Sequence, residues 1–298
     1  MWRQSKVTEL LGLELPIVQA PLAGDFSTPQ LIAAVSAAGG LGSMGAGYMS
    51  GAEIAAASAE VRALTARPFS INLMVPPPCA PDPAQVQRAN RNLGAFRQRL
   101  GLEAEPDLPN RYAYPFDEQV AATLAVAPAL VSFTFGIPTA EVIEAFKAKG
   151  IRLAGTVTSV PEAQAVEAAG LDVLLAQGAE AGGHRGTFAG SYEQGLVGSL
   201  ALIPQVVDAV DLPVIAAGGI MDGRGIAAAR VLGAAAAALG TAFMTTREAG
   251  TNATYRRALE AGQADETTLT LAFSGKAARG LRNRFTEEMA AGQVEVAA

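Results

Sequence analysis

Two scarcities set the first limits on this chain. It contains a single cysteine, Cys79, and a single histidine, His184, in 298 residues. One thiol excludes an intrachain disulfide, and a reducing compartment is the expectation. One His and one Cys at distant positions also exclude a metal site built on those ligands. Charge is scarce as well, at 17% Asp, Glu, Lys and Arg with a formal net charge of −6. No basic stripe is available to meet a phosphodiester backbone, so nucleic acid is not an expected partner. Long apolar runs are missing. The Ala-rich stretch at 226–239 is broken by Arg230 and Gly233, well short of the ~20 apolar residues that cross a bilayer. The opening MWRQSKVTELLGLELP lacks the apolar centre of a signal peptide. A cytoplasmic protein with no membrane partner is therefore expected. No G-x-S-x-G or P-loop occurs. Gly40-Leu41-Gly42-Ser43-Met44-Gly45 imitates G-x-G-x-x-G, but it precedes and fills a strand instead of opening a helix after one, so it does not read as a dinucleotide site.

What the chain does have is apolar bulk, with half of its residues hydrophobic, enough for a large core. Short apolar runs predict strands at Ile17–Ala23, Leu41–Ala46, Phe69–Val75, Leu130–Phe135, Arg152–Thr158, Val173–Gln177, Val214–Ala217 and Ala236–Phe243. Several are nearly all apolar, as strands buried on both faces are. Helix signals lie between them. Thr28 before Pro29 reads as an N-cap, with Gly39-Gly40 as terminator. Thr139 and Asp222 read as further caps, Ser199 as the start of a helix over Leu202–Val210, and Ser159 with Glu162 has capping-box spacing. Eight strand–helix units in about 250 residues match a (β/α)8 TIM barrel better than an open doubly wound sheet. We therefore expect α/β architecture with one barrel domain over 1–298. An excursion over 76–117, proline-rich at both ends with a polar helix at Ala84–Leu100, is expected as an insertion or lid after the third strand. The chain past Leu269 reads as a short C-terminal appendage.

In such barrels the working groups follow the strand C-termini. After the seventh predicted strand come Gly218 and Gly219; at the end of the eighth come Ala238, Leu239, Gly240 and Thr241. Glycine turns at these two places form the usual phosphate site, because backbone N–H groups can approach the anion closely. The plainer alternative for each turn alone is a tight connection. After the sixth strand comes Gln177, then the glycine-rich loop Gly182-Gly183-His184-Arg185-Gly186. A neutral imidazole there can take a proton from a carbon acid near pH 7. Asn72 within the third strand, Gln177 and Gln19 are amides in apolar surroundings, where an unpaired amide costs about 1–3 kcal/mol. A flavin edge would satisfy them; backbone or buried water is the alternative.

Several segments carry a resemblance. Gln19-Ala-Pro-Leu-Ala-Gly24, Ala38-Gly-Gly-Leu-Gly42, Phe133-Thr-Phe-Gly-Ile-Pro138, Gly182-Gly-His-Arg-Gly186, Ala216-Ala-Gly-Gly-Ile-Met-Asp-Gly-Arg-Gly225 and the run Phe273–Phe285 resemble the signature segments of nitronate monooxygenases, also called 2-nitropropane dioxygenases. The resemblance runs in order from Met1 to about Met289. It implies non-covalent FMN contacted by Asn72, Gln177, Gly182, Gly218, Gly219, Ala238, Leu239, Gly240 and Thr241, with Ala238 acting only through backbone. It implies His184 as catalytic base. The implied reaction is oxidation of an alkyl nitronate, such as propionate 3-nitronate, by O2 to a carbonyl compound plus nitrite. It implies small-molecule partners only, and a monomer or homodimer. Leu22, Asp25 and Ala238 depart from the family's usual residues, and the chain stops soon after Met289 where relatives continue. Two other functions stand against this one: an FMN- and NAD(P)H-dependent reductase like enoyl-acyl-carrier-protein reductase II, and a flavin-binding protein with lost catalysis. Arg185 and the Phe135–Pro138 segment favour the nitronate branch.

Overall fold

A computed structural model describes residues 2–76, 82–103, 112–262 and 265–292. Cys79 and the parts of the 76–117 excursion at 77–81 and 104–111 lie outside the described residues. The strands, numbered along the chain, are β1 (Ile17–Gln19), β2 (Gly42–Gly45), β3 (Phe69–Met74), β4 (Leu130–Thr134), β5 (Arg152–Val157), β6 (Val173–Gln177), β7 (Gly183–His184), β8 (Val214–Ala217), β9 (Ala236–Leu239), β10 (Thr267–Thr270) and β11 (Ala278–Leu281). The chain divides into two compact units. One comprises Met1–Pro77, Ala113–Ala181 and Gly186–Glu260; the other comprises Pro78–Tyr112, Gly182–Arg185 and Ala261–Ala298.

The larger unit is the expected TIM barrel. Its strands run parallel in the order β1-β9-β8-β6-β5-β4-β3-β2. The two ends of that order meet. Parallel bridges join Val18 to Leu41 and Leu22 to Met44, and Gln19 N donates to Leu41 O at 2.9 Å. The interior is filled by Val18, Leu41, Leu130, Ala154, Val173, Leu175, Ile215, Ala236 and Ala238, on which the N-terminal helix Lys6–Leu11 packs Val7 and Leu11. Outside, the helices cover a larger cluster that includes Ile71, Phe133, Phe146, Val166 and Val206. The helix starts follow their caps. Thr28 Oγ1 accepts from Leu31 N at 3.1 Å ahead of Pro29–Ala37, and Asp222 accepts from Arg224 N ahead of Gly223–Val231. Thr139 stands at an N-cap without a side-chain cap bond.

All eight barrel strands lie where the sequence places them, but two expected spans overrun by four residues: the strand expected over Ile17–Ala23 ends at Gln19, and the eighth ends early as well. The strand expected over Ala236–Phe243 ends at Leu239, because its partner β1 ends opposite it at Gln19. Gly240 then turns into helical conformation (φ −103°, ψ −78°), and Thr241–Met244 form a single helical turn.

The smaller unit carries an antiparallel sheet in the order β10-β11-β7. The polar helix expected over Ala84–Leu100 is broken at Leu93 into Pro83–Asn92 and Gly94–Arg99. Phe96 packs edge-on against Phe285 at 4.9 Å, Phe273 lies 5.4 Å from Phe285, and Arg99 pairs with Glu288 at 2.7 Å.

Candidate active site

The barrel's C-terminal rim gathers most of the residues singled out from sequence. Parallel register brings Asn72 opposite Ser132, Gln177 opposite Ala217, and Gln19 opposite Leu239. Asn72, nearly buried, donates its amide to Ser132 O at 3.2 Å, Ser132 Oγ at 2.9 Å and Thr134 Oγ1 at 3.1 Å. Its NH2 is thus committed, and Oδ1 is what it can offer a ligand. Gln177 Oε1 accepts from Gly186 N at 2.8 Å. Gln19 is consumed by the fold. It donates to Ala20 O and Ser27 Oγ and accepts from Ser43 N at 2.9 Å.

The two glycine turns differ in what they require. Gly218 (φ +112°) and Gly219 (φ +69°) occupy left-handed conformations, and a Cβ on Gly218 would lie 3.1 Å from Gly178 O and from Ser199 Oγ. Those glycines are demanded by the turn itself. Gly240 is not. Its φ is ordinary, and a Cβ would meet only Leu22 and Ala20 side chains at 3.7 and 3.8 Å. Ala238 turns its side chain into the barrel interior, and Leu239 packs outside.

Helix starts at this rim divide the same way. Glu180 accepts from Ser199 N at 3.0 and 2.9 Å, occupying the start of Ser199–Ala209. Asp222 occupies the start of Gly223–Val231, and hydrogen bonds from Arg224 hold its carboxyl at about 2. The turn at Gly240–Thr241 has no side-chain cap.

In the smaller unit, His184 is not a loop residue but the end of β7, paired in register with Ala278 of β11. Its Nε2 lies 2.7 Å from Ser274 Oγ. Burial pushes the imidazole below its usual 6.5, and the Lys276 charge lowers it further. Arg185 beside it is buried, with its backbone N bonded to Ala277 O at 2.8 Å. Gly182 and Gly183 are exposed, and Gly183 has φ +75°.

Two residues with clear roles here, Ser274 and Glu180, had no local signal in the sequence, and Glu162 does more than its local signal announced. Ser274 meets His184 across 90 positions of chain. Glu180 is one acidic residue in a glycine-rich stretch. Glu162 was expected to return a bond to Ser159. The Ser159 hydroxyl does accept from Glu162 N at 3.4 Å, but the carboxylate reaches Thr158, Phe188 N and Ala189 N instead. Among the described residues no cluster of three or more His, Cys, Asp or Glu could hold a metal, and no helix is long and apolar enough to cross a membrane.

Known proteins share this arrangement. The family model described as nitronate monooxygenase matches residues 4–298. A probable nitronate monooxygenase of Staphylococcus aureus is 43% identical over 290 residues, covering 97% of this chain and 81% of the relative. Among solved structures, nitroalkane oxidase from Streptomyces ansochromogenes superposes with a TM-score of 0.88 at 43% identity, covering 95% of this chain and 80% of that one. FabK from Thermotoga maritima superposes at 0.78 with 32% identity, covering 98% and 79%. Barrel, rim and relatives agree: this chain is an oxidoreductase and belongs to the nitronate monooxygenase family.

Proposed function

We propose that the protein oxidises alkyl nitronates, propionate 3-nitronate among them, with O2 to a carbonyl compound and nitrite, and that FMN is its cofactor. The observation that carries this reading is His184, the chain's one histidine, held neutral by burial and bonded through Nε2 to Ser274. A neutral, oriented imidazole is what removal of a proton from the α-carbon of a nitroalkane needs. The 2.7 Å bond between Nε2 and Ser274 Oγ orients the ring, and once the ring is protonated that hydroxyl accepts from Nε2–H.

The rim fits FMN. The N–H groups at Gly240 and Thr241 would meet the phosphate, together with the backbone of Gly218 and Gly219; the Gly240 turn carries no side-chain cap. Asn72 Oδ1 offers an acceptor to a ring N–H, and Gln177 would contact the ring from the end of β6. Gly182, Ala238 and Leu239 would contribute backbone. When bound, the flavin supplies the one-electron acceptor for the nitronate and the donor to O2. A monomer or homodimer in the cytoplasm suffices for this chemistry.

A second reading, the NAD(P)H-dependent reductase weighed from the sequence, draws on the likeness to FabK. One experiment separates the two. FMN-reconstituted protein is mixed with propionate 3-nitronate in air and O2 uptake is followed. Rapid uptake without NAD(P)H supports the oxidation. Flavin bleaching that requires NAD(P)H supports the reductase, and inertness to both overturns each of them.

Two further outcomes are expected. Gly240→Ala should change apoprotein stability by no more than about 1 kcal/mol, because the added methyl has room. It should nonetheless weaken FMN binding at least about tenfold, a loss of about 1.4 kcal/mol. Gly218→Ala should cost about 1–3 kcal/mol of stability from its positive φ alone. Thermal unfolding and fluorescence titration with FMN read both, and an unaltered FMN affinity in Gly240→Ala would remove the phosphate from this turn.

The pH profile follows from the depressed imidazole. For neutral nitroalkane, kcat/KM should fall on the acid side with an apparent pKa below 6.5, and pre-formed nitronate should show no such limb. Stability carries the same sign. Above 6.5 the imidazole is neutral in both states; as pH falls below 6.5 the unfolded chain takes up a proton that the folded site resists, and stability is lost.

A further inference from the structure

Glu162 has no solvent exposure, and it is the one acidic side chain buried in this way among the described residues. Its carboxylate is fully engaged. Oε2 accepts from Thr158 N at 2.6 Å and Thr158 Oγ1 at 2.8 Å; Oε1 accepts from Phe188 N at 2.6 Å and Ala189 N at 2.8 Å. Thr158 Oγ1 also lies 2.8 Å from Thr187 Oγ1. Since Thr158 donates to the carboxylate, Thr187 donates to Thr158, and the relay polarises toward the buried charge. Gly195 packs directly on the two hydroxyls, and a Cβ there would lie 2.4 and 2.5 Å from them.

This arrangement exceeds what helix Val160–Ala168 needs, because the Ser159 hydroxyl already caps it. A desolvated carboxylate is costly to keep unless every lone pair is satisfied. Here all four are, and the two bonds to Phe188 N and Ala189 N do not serve the helix. They fasten the segment after Gly186, where Gln177 Oε1 holds Gly186 N and the Phe188 ring packs on the main core. A carboxylate, an amide and a ring thus pin four consecutive residues to the ends of β5 and β6. Along the chain, only Arg185 separates His184 from the first pinned residue, so at most about 7.6 Å of extended backbone lies between their Cα atoms.

We propose that Glu162 is a positioning residue for the base. By clamping Thr187–Ala189 to Thr158, it fixes the backbone that leads directly into the His184 segment. The proposal rests on His184 being the base.

The test uses FMN-loaded enzyme and compares O2 uptake with neutral nitroethane against uptake with pre-formed ethyl nitronate, which needs no proton removal. Glu162→Gln keeps the size but turns an NH2 toward backbone donors, loosening the clamp. The nitroethane-to-nitronate activity ratio should fall about tenfold to a hundredfold, the cost of misplacing a reacting group by about 1 Å. FMN content and nitronate turnover should stay near wild type. A purely structural role would lower both activities alike; an unchanged ratio overturns the proposal. If Glu162→Gln does not fold, Thr187→Val leaves the carboxylate satisfied while removing the hydroxyl relay. It should lower the ratio less, and an unchanged ratio there overturns the proposal equally. His184→Asn is assayed beside them. If it leaves the ratio unchanged, the base assignment fails and the clamp with it. If it collapses the ratio and the Glu162 and Thr187 variants do not, the clamp alone fails.

Discussion

Replacing His184 with Asn is expected to lower turnover of neutral nitroalkanes by about 10²- to 10⁴-fold, the usual contribution of a positioned general base. At about 1.4 kcal/mol per decade this is about 3–5 kcal/mol of barrier. The Asn amide overlays the Nδ1 edge of the ring and stops short of the Nε2 position, so the bond to Ser274 Oγ goes together with the lone pair that accepts the proton. Nitronate supplied as the anion has already lost that proton, and its oxidation should remain within about tenfold of wild type. Stopped-flow and O2-electrode assays on both substrates, with FMN content checked by absorbance, decide the matter. Equal losses on the two substrates would show that His184 binds or orders the site without acting as a base.

Gly42→Ala should be among the most damaging single changes to folding, costing about 3 kcal/mol or more. The methyl would lie 2.2 Å from Ile32 O and 2.7 Å from Ile32 Cα. Neither is a side chain that can swing aside. Both belong to the backbone of Pro29–Ala37, whose Leu31, Ile32 and Val35 are buried in the core. To admit the methyl, the helix must lift from β2, and β2 is one of the two strands at which the barrel closes. Soluble yield and thermal unfolding against wild type read this outcome, and near-native stability would show that the helix can retreat at little cost. The contrast with Gly240→Ala is instructive. One glycine is fixed by the protein's own packing; the other has room for a methyl.

The barrel was legible in the sequence because its strands are short apolar runs flanked by helix caps, and a parallel strand buried on both faces writes that pattern locally. Thr28 and Asp222 signalled their helices through side chains that act within a few residues. The smaller unit was not legible. Thr267–Thr270 and Ala278–Leu281 show no apolar alternation, and β7 is two residues that pair with β11 across more than 90 positions. His184 stood out because it is the one imidazole in the chain, but its strand geometry and its Ser274 partner are products of that distant pairing. Glu162 has capping-box spacing in sequence, and nothing local tells that its carboxylate reaches residues 26 and 27 positions away. The rim glycines could be placed from sequence; which of them the turn requires emerged only from the backbone around each.

The pairing of β1 with β9 joins residues about 220 positions apart. On the ribosome, Ile17–Gln19 emerges about 220 residues ahead of its neighbour Ala237–Leu239, so one edge of the nascent sheet stays open through that interval. An apolar, unpaired edge of this kind invites association with other chains, and so distant a contact closes slowly. The yield of this protein in a cell therefore depends on how long that edge is sheltered as well as on the strength of the finished core, and slowing translation before codon 236 would expose it longer.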